Sequence, residues 1–159
     1  MSWRKLVGIF LAFLISFNII LIIVYNDQPT SSGAHSDLNG IAWKPDGSYA
    51  LIVGDYGTIL IFDGSNFEEI SSHTNYNLLD VEWKPDGSYA LIVGEYGAIL
   101  KYNESRKEVS EIKSYTYAYL SGLCWKDNDV AFIVGGSGTV FRWENEELTM
   151  LEPLSLIHI

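Results

Sequence analysis

The sequence predicts an all-β domain of three four-stranded antiparallel sheets, preceded by one apolar helix. Three observations carry this. An 18-residue unit recurs at a spacing of 40, with a third, degenerate copy behind it. Short apolar runs within each copy are bounded by Gly, Pro and Asp, the punctuation of strands and turns. The 20 residues Leu6 to Tyr25, LVGIFLAFLISFNIILIIVY, contain no charge.

The N-terminal segment comes first. Residues 1–5 are short and basic. Twenty helical residues rise roughly 30 Å, the hydrocarbon thickness of a bilayer. Arg4 and Lys5 precede residues 6–25 and Asp27 follows them, so the positive-inside rule keeps the N-terminus in the cytoplasm and exports the rest. The apolar run is longer than a cleaved signal core, and its exit, Val24-Tyr25-Asn26-Asp27, has no small-x-small site. An uncleaved signal anchor is therefore expected over 6–25, with the lipid bilayer as its partner. Residues 26–36, NDQPTSSGAHS, read as a flexible tether. Beyond Tyr25 there are 8 basic and 20 acidic residues, a net of −12. That balance argues against nucleic acid, which selects a basic face.

The repeat comes next. Residues 43–60, WKPDGSYALIVGDYGTIL, match residues 83–100, WKPDGSYALIVGEYGAIL, at 16 of 18 positions. The third copy, WKDNDVAFIVGGSGTVF, starts at Trp125, 42 residues after Trp83, and its turn is one residue shorter. A period near 40 filled by four strands is the arithmetic of a propeller blade. The strands are predicted at 38–43, 48–53, 58–62 and 67–71; at 78–83, 88–93, 98–102 and 108–112; and at 120–125, 130–134, 139–143 and 148–151. Blades are expected at about 37–72, 77–113 and 119–152, making 37–152 a partial β-propeller. In the first turn, Pro45 presets φ, Asp46 caps locally and Gly47 accepts the left-handed conformation. Pro85, Asp86 and Gly87 repeat it. Trp43, Trp83 and Trp125 fall on one side of equivalent strands with Ile41, Val81 and Leu123. Packing between blades explains a once-per-repeat Trp better than a ligand platform does.

The WKPDGSYALIVG unit followed by Tyr-Gly-Thr-Ile-Leu resembles WD-repeat-like propellers. The stretch VGDYGTIL is similar to propellers of the photosystem II assembly-factor type. The resemblance spans about 37–152. It implies a binding scaffold and transfers no catalytic residue. The Trp-Asp dipeptide that names WD repeats is absent from the blades, and so is the Asp-box of sialidase-like propellers.

Chemistry-bearing residues are few. His35, His73 and His158 lie in the tether, an inter-blade loop and the tail, without metal-ligand spacing. The single Cys124 excludes an intrachain disulfide and is read as a small packing residue. The runs Val-Gly-Asp-Tyr-Gly and Val-Gly-Gly-Ser-Gly precede strands, so they are turns and not phosphate cradles. Asn103-Glu104-Ser105 is a formal glycosylation sequon in a turn. No cofactor, metal or enzymatic activity is expected.

A recognition face follows from topology. In an antiparallel meander, the turn between the second and third strands shares an end with the loop into the next blade. One face should therefore gather Asp55, Tyr56, Glu95 and Tyr96 from the turns. His73 and Tyr76 should join from one inter-blade loop, and Tyr115 and Tyr117 from the next. Loops on a rigid scaffold commonly carry recognition, and Tyr suits interfaces. The expected function is a membrane-anchored, extracytoplasmic protein-binding or scaffold module. An assembly factor for a membrane complex, an enzyme whose site lies in missing blades, and a surface-layer spacer are the alternatives.

Three blades fall short of the four to eight that close a ring. The ending Leu-Ser-Leu-Ile-His-Ile, within 153–159, looks like translated sequencing-adapter read-through. A truncated frame with further blades is therefore expected. If the frame does stop there, two sets of three blades are expected to self-associate.

Overall fold

The computed structural model describes residues 36–151, all within one compact unit. The expected anchor at 6–25, most of the tether and the tail at 153–159 lie outside the described residues. Among the described residues no helix is long and apolar enough to cross a membrane.

The described chain is twelve strands in three sheets. The first sheet holds β1 (Leu38–Trp43), β2 (Ala50–Gly54), β3 (Ile59–Phe62) and β4 (Phe67–Glu69). The second holds β5 (Leu78–Trp83), β6 (Tyr89–Gly94), β7 (Ile99–Asn103) and β8 (Glu108–Glu111). The third holds β9 (Leu120–Trp125), β10 (Val130–Gly135), β11 (Val140–Glu144) and β12 (Glu147–Leu151). Each is an antiparallel meander in sequence order, as expected of propeller blades. The register repeats too: Trp43 pairs with Ala50, Trp83 with Ala90 and Trp125 with Ala131. Each first strand also carries an irregularity at the same place, skipping Asn39, Leu79 or Ser121.

The first strands β1, β5 and β9 have the bounds the pattern predicts. The second strand of the third blade begins at Val130 as expected, and the other second and third strands begin one or two residues later. In the first blade the reason is local. The Asp46 carboxylate accepts from the Ser48 amide at 2.9 Å and the Ser48 hydroxyl at 2.6 Å, taking that amide from the ladder. Asp86 holds Ser88 in the same way. Gly47 and Gly87 both sit at φ 73°, the left-handed region their turn needs.

Blades stack through two cores. The first blade contributes Leu51, Val53 and Ile59 to the first core, against Val81, Trp83, Ile92 and Tyr102. The opposite face of the second blade gives Tyr89, Leu91 and Val93 to the second core, against Leu123, Ile133, Phe141 and Trp143. The strand β6 is thus buried on both faces, which is why it reads as an unbroken apolar run.

The Trp residues divide by position. Trp83 is 4% exposed; its indole N–H donates to the Ala42 carbonyl at 3.2 Å. Its ring meets Tyr49 and Tyr102 edge-on, with centroids 5.6 and 5.8 Å away. Trp125 meets Tyr89 in the same way at 5.6 Å. Trp43 corrects the expectation of packing between blades. It is 50% exposed and touches Phe62, because this face of each sheet covers the preceding blade and no described sheet precedes β1. Ile41 is exposed for the same reason, whereas Val81 and Leu123 are buried. Cys124 is also corrected. It is exposed, on the face of β9 turned away from the second blade.

Polar groups pin the same joints. The Asp80 carboxylate accepts from its neighbour Val81 at 2.9 Å and, across the blades, from the Leu123 amide at 2.8 Å. Burial pushes this carboxyl up, against those two bonds. The Tyr49 hydroxyl donates to Glu104, which also pairs with Lys44 at 3.2 Å. Burial, reinforced by the bond to Glu104, pushes the Tyr49 hydroxyl up.

Candidate functional site

The turns after β2, β6 and β10 are the same structure three times. Each opens on an extended Gly and makes one short helical turn, with its middle residue in the left-handed region: Tyr56 at φ 55°, Tyr96 at 54° and Ser137 at 57°. Such backbone is an outlier for a bulky side chain and persists only when its surroundings hold it. The surroundings are visible. The amide of Asp55 donates to the Asp37 carbonyl and that of Glu95 to the Asn77 carbonyl, both at 2.9 Å. Tyr56 donates its own amide to the Asn77 side chain at 3.0 Å, reaching the connection into the next blade.

Two inter-blade connections lie over these turns, and they too are repeats. The segment Ser72-His73-Thr74 corresponds to Ser114-Tyr115-Thr116, 42 residues later. In each, the Thr amide donates to the Ser hydroxyl at 3.3 Å. Each also places its middle residue in the left-handed region, His73 at φ 59° and Tyr115 at 58°. The two Thr carbonyls sit where a side chain on Gly57 or Gly97 would go, so those glycines are what lets the connections close on the turns.

Between turns and connections lies a cleft of about 1030 Å³. Six of the eight residues expected on a recognition face line it: Tyr56, His73, Tyr76, Tyr96, Tyr115 and Tyr117. Tyr115 and Tyr117 are 92% and 88% exposed, and the rings of Tyr76 and Tyr96 lie 5.0 Å apart. Asp55 and Glu95 do not line the cleft. They open the turns, where the Asp55 carboxylate accepts from Asn39 at 2.9 Å. Glu69 and Glu111, at the ends of β4 and β8, supply the wall with carboxylates, and Lys113 supplies an ammonium. The sequence reading missed the bracing residues Ser72, Thr74, Ser114 and Thr116. Their signal was a second repeat, Ser-x-Thr, outside the Trp-Lys-Pro-Asp-Gly unit.

The arrangement is suited to recognition. Among the described residues no group of His, Cys, Asp and Glu is placed to hold a metal ion. The groups with shifted acidities do not line the cleft: Asp46, Asp63, Asp86 and Asp127 are shifted downward, and Lys44, Lys84, Asp80, Glu82, Tyr49, Tyr89 and Tyr102 upward.

Comparison with known proteins places the fold. The family model described as eukaryotic translation initiation factor eIF2A, a WD-like propeller domain, matches residues 19–96. No curated protein matches the chain. Among solved structures, YCF48 from Cyanidioschyzon merolae is 21% identical with a TM-score of 0.62, over 75% of this chain and 41% of that one. YCF48 bound to D1 peptide is 17% identical with a TM-score of 0.61, over 73% and 39%. The RRP9 WD40 repeats are 14% identical with a TM-score of 0.62, over 76% and 39%. The matched part of this chain thus spans about two fifths of each of these structures. The described residues are three four-stranded antiparallel sheets consistent with a partial β-propeller, similar in fold to YCF48 and to the RRP9 WD40 repeats.

Proposed function

We propose that the chain is a non-enzymatic protein-binding module that takes a partner segment in the tyrosine-lined cleft. The observation that carries this is the bulk of the strained residues at the cleft. Of eight non-glycine residues in the left-handed region, Tyr56, His73, Tyr96 and Tyr115 line the cleft, and they include every aromatic one. The fold holds each against its own preference, and such strain clusters at functional sites. A similar propeller, YCF48, is known bound to a D1 peptide, which supports a peptide as the kind of occupant.

The setting belongs to the same proposal. The uncharged run at 6–25 with Arg4 and Lys5 before it supports a single-pass anchor and, by the positive-inside rule, an extracytoplasmic propeller. Assembly of a membrane complex is the more specific reading, favoured by the fold shared with YCF48.

Site-specific photocrosslinking in the native host tests the proposal. A crosslinker at Tyr117 should trap a defined partner, whereas one at Glu147 on the outer strand β12 should not. Equal trapping from both positions, or from Glu147 alone, would refute the cleft as the site.

A further inference from the structure

We infer that the occupant of the cleft is a cationic peptide segment whose Lys or Arg side chains seat on the exposed tyrosine rings. This rests on the cleft being the binding site.

Three observations point to a cation. The faces of Tyr rings carry negative potential and attract ammonium and guanidinium groups when exposed. Tyr115 and Tyr117 present almost their whole rings to solvent in the cleft. The charge around them agrees. The wall carries Glu69 and Glu111 against Lys113, and the chain as a whole carries −10. A field of that sign draws cations into a cleft and repels acidic segments. The protein also uses this contact internally. Lys44 and Lys107 lie over the Tyr49 ring at 5.6 and 5.8 Å, and Lys84 and Lys101 over Tyr89 at 5.5 and 4.2 Å. The tyrosines of the cleft offer the same surface without a lysine of their own chain over it among the cation contacts of the described residues. A volume near 1030 Å³ exceeds one side chain, so a segment of several residues fits better than a lone cation.

The test is fluorescence anisotropy with the full chain and three labelled peptides of equal length, alternating Gly with Lys, Glu or Ser. The Lys peptide should bind, weaken as salt is raised, and outcompete the other two. Replacing Tyr115 and Tyr117 together by Ser should weaken it about tenfold. The double change to Phe should retain most of the binding, because Phe keeps the ring face and loses only the hydroxyl. Loss with Phe equal to loss with Ser would overturn the cation–ring contact. So would preference for the Glu or Ser peptide, or Lys-peptide binding that ignores the Tyr changes. Crosslinking at Tyr117 separates the two levels: a trapped partner segment without Lys or Arg sinks the cationic inference while sparing the cleft. Absence of any Tyr117-dependent partner sinks both.

Discussion

Replacing Trp83 by Ala should cost far more stability than replacing Trp43, although the two occupy identical positions in nearly identical repeats. Trp83 is 4% exposed and Trp43 is 50% exposed. Truncating a buried Trp typically costs about 3–5 kcal/mol, the transfer term plus the cavity left behind. Trp83 has further contacts to lose. Its two edge-on tyrosine contacts are each worth about 0.5–1.5 kcal/mol beyond area. Its bond to the Ala42 carbonyl adds about 1 kcal/mol. These terms overlap, and a loss of about 4–5 kcal/mol is expected. Half-exposed Trp43 should lose only about 1–2 kcal/mol of burial. Urea unfolding of the full chain, followed by far-UV circular dichroism, measures both. Trp83→Phe provides the control, keeping an aromatic ring while deleting the donor, and should fall between them. Equal losses for the two alanine variants would refute the reasoning that each Trp packs against the preceding blade.

Two further predictions concern the turns. Gly97→Ala should destabilise by at least about 1 kcal/mol and distort the cleft, because its φ of 72° and the Thr116 carbonyl both oppose a side chain. Gly47→Ala shares the φ cost, but its new methyl group meets nothing within 4 Å, so the difference between the two isolates the close approach. Acid should weaken the fold through the turn aspartates. Hydrogen bonds from Lys84 and Ser88 outweigh the burial that opposes them and bring Asp86 from 3.8 down to about 2. A lowered carboxyl stabilises the fold above its ordinary value, and that stability fades as pH falls from about 4 toward 2. Asp86→Asn should flatten this part of the urea midpoint–pH profile; an unchanged slope contradicts the assignment. Asp80 and Glu82, raised by burial, act with the opposite sign.

The fold was legible because the repeat exposes it twice over. The Trp-Lys-Pro-Asp-Gly turn marks the end of the first strand in each of the first two blades, and alternation of Ile41, Val81 and Leu123 with their neighbours sets the face. Strand starts were less legible, since the Asp46 side chain takes the Ser48 amide and hydrophobic periodicity does not register that bond. Trp43 defeated the reading for a geometric reason. A repeat shows which face of a sheet packs, but a blade at the edge of the described set exposes the face its siblings bury. Cys124 is exposed at a position where the middle blade also exposes its residue, Glu82. The cleft was legible in its tyrosines because meander topology alone brings turns and connections to one end. Asp55 and Glu95 open the same turns but are not among the residues lining the cleft. The hydroxyl braces Ser72 and Ser114 carry no apolar signal, and appear only when polar loops are searched for repeats as well.

The most direct measurement is hydrogen exchange of the full chain, with and without the partner segment trapped through Tyr117. The account predicts protection concentrated at 56–58, 69–77, 96–98 and 111–117, the turns and connections that enclose the cleft. Protection centred instead on 44–49 and 102–107, at the Tyr49–Glu104 joint, would contradict it.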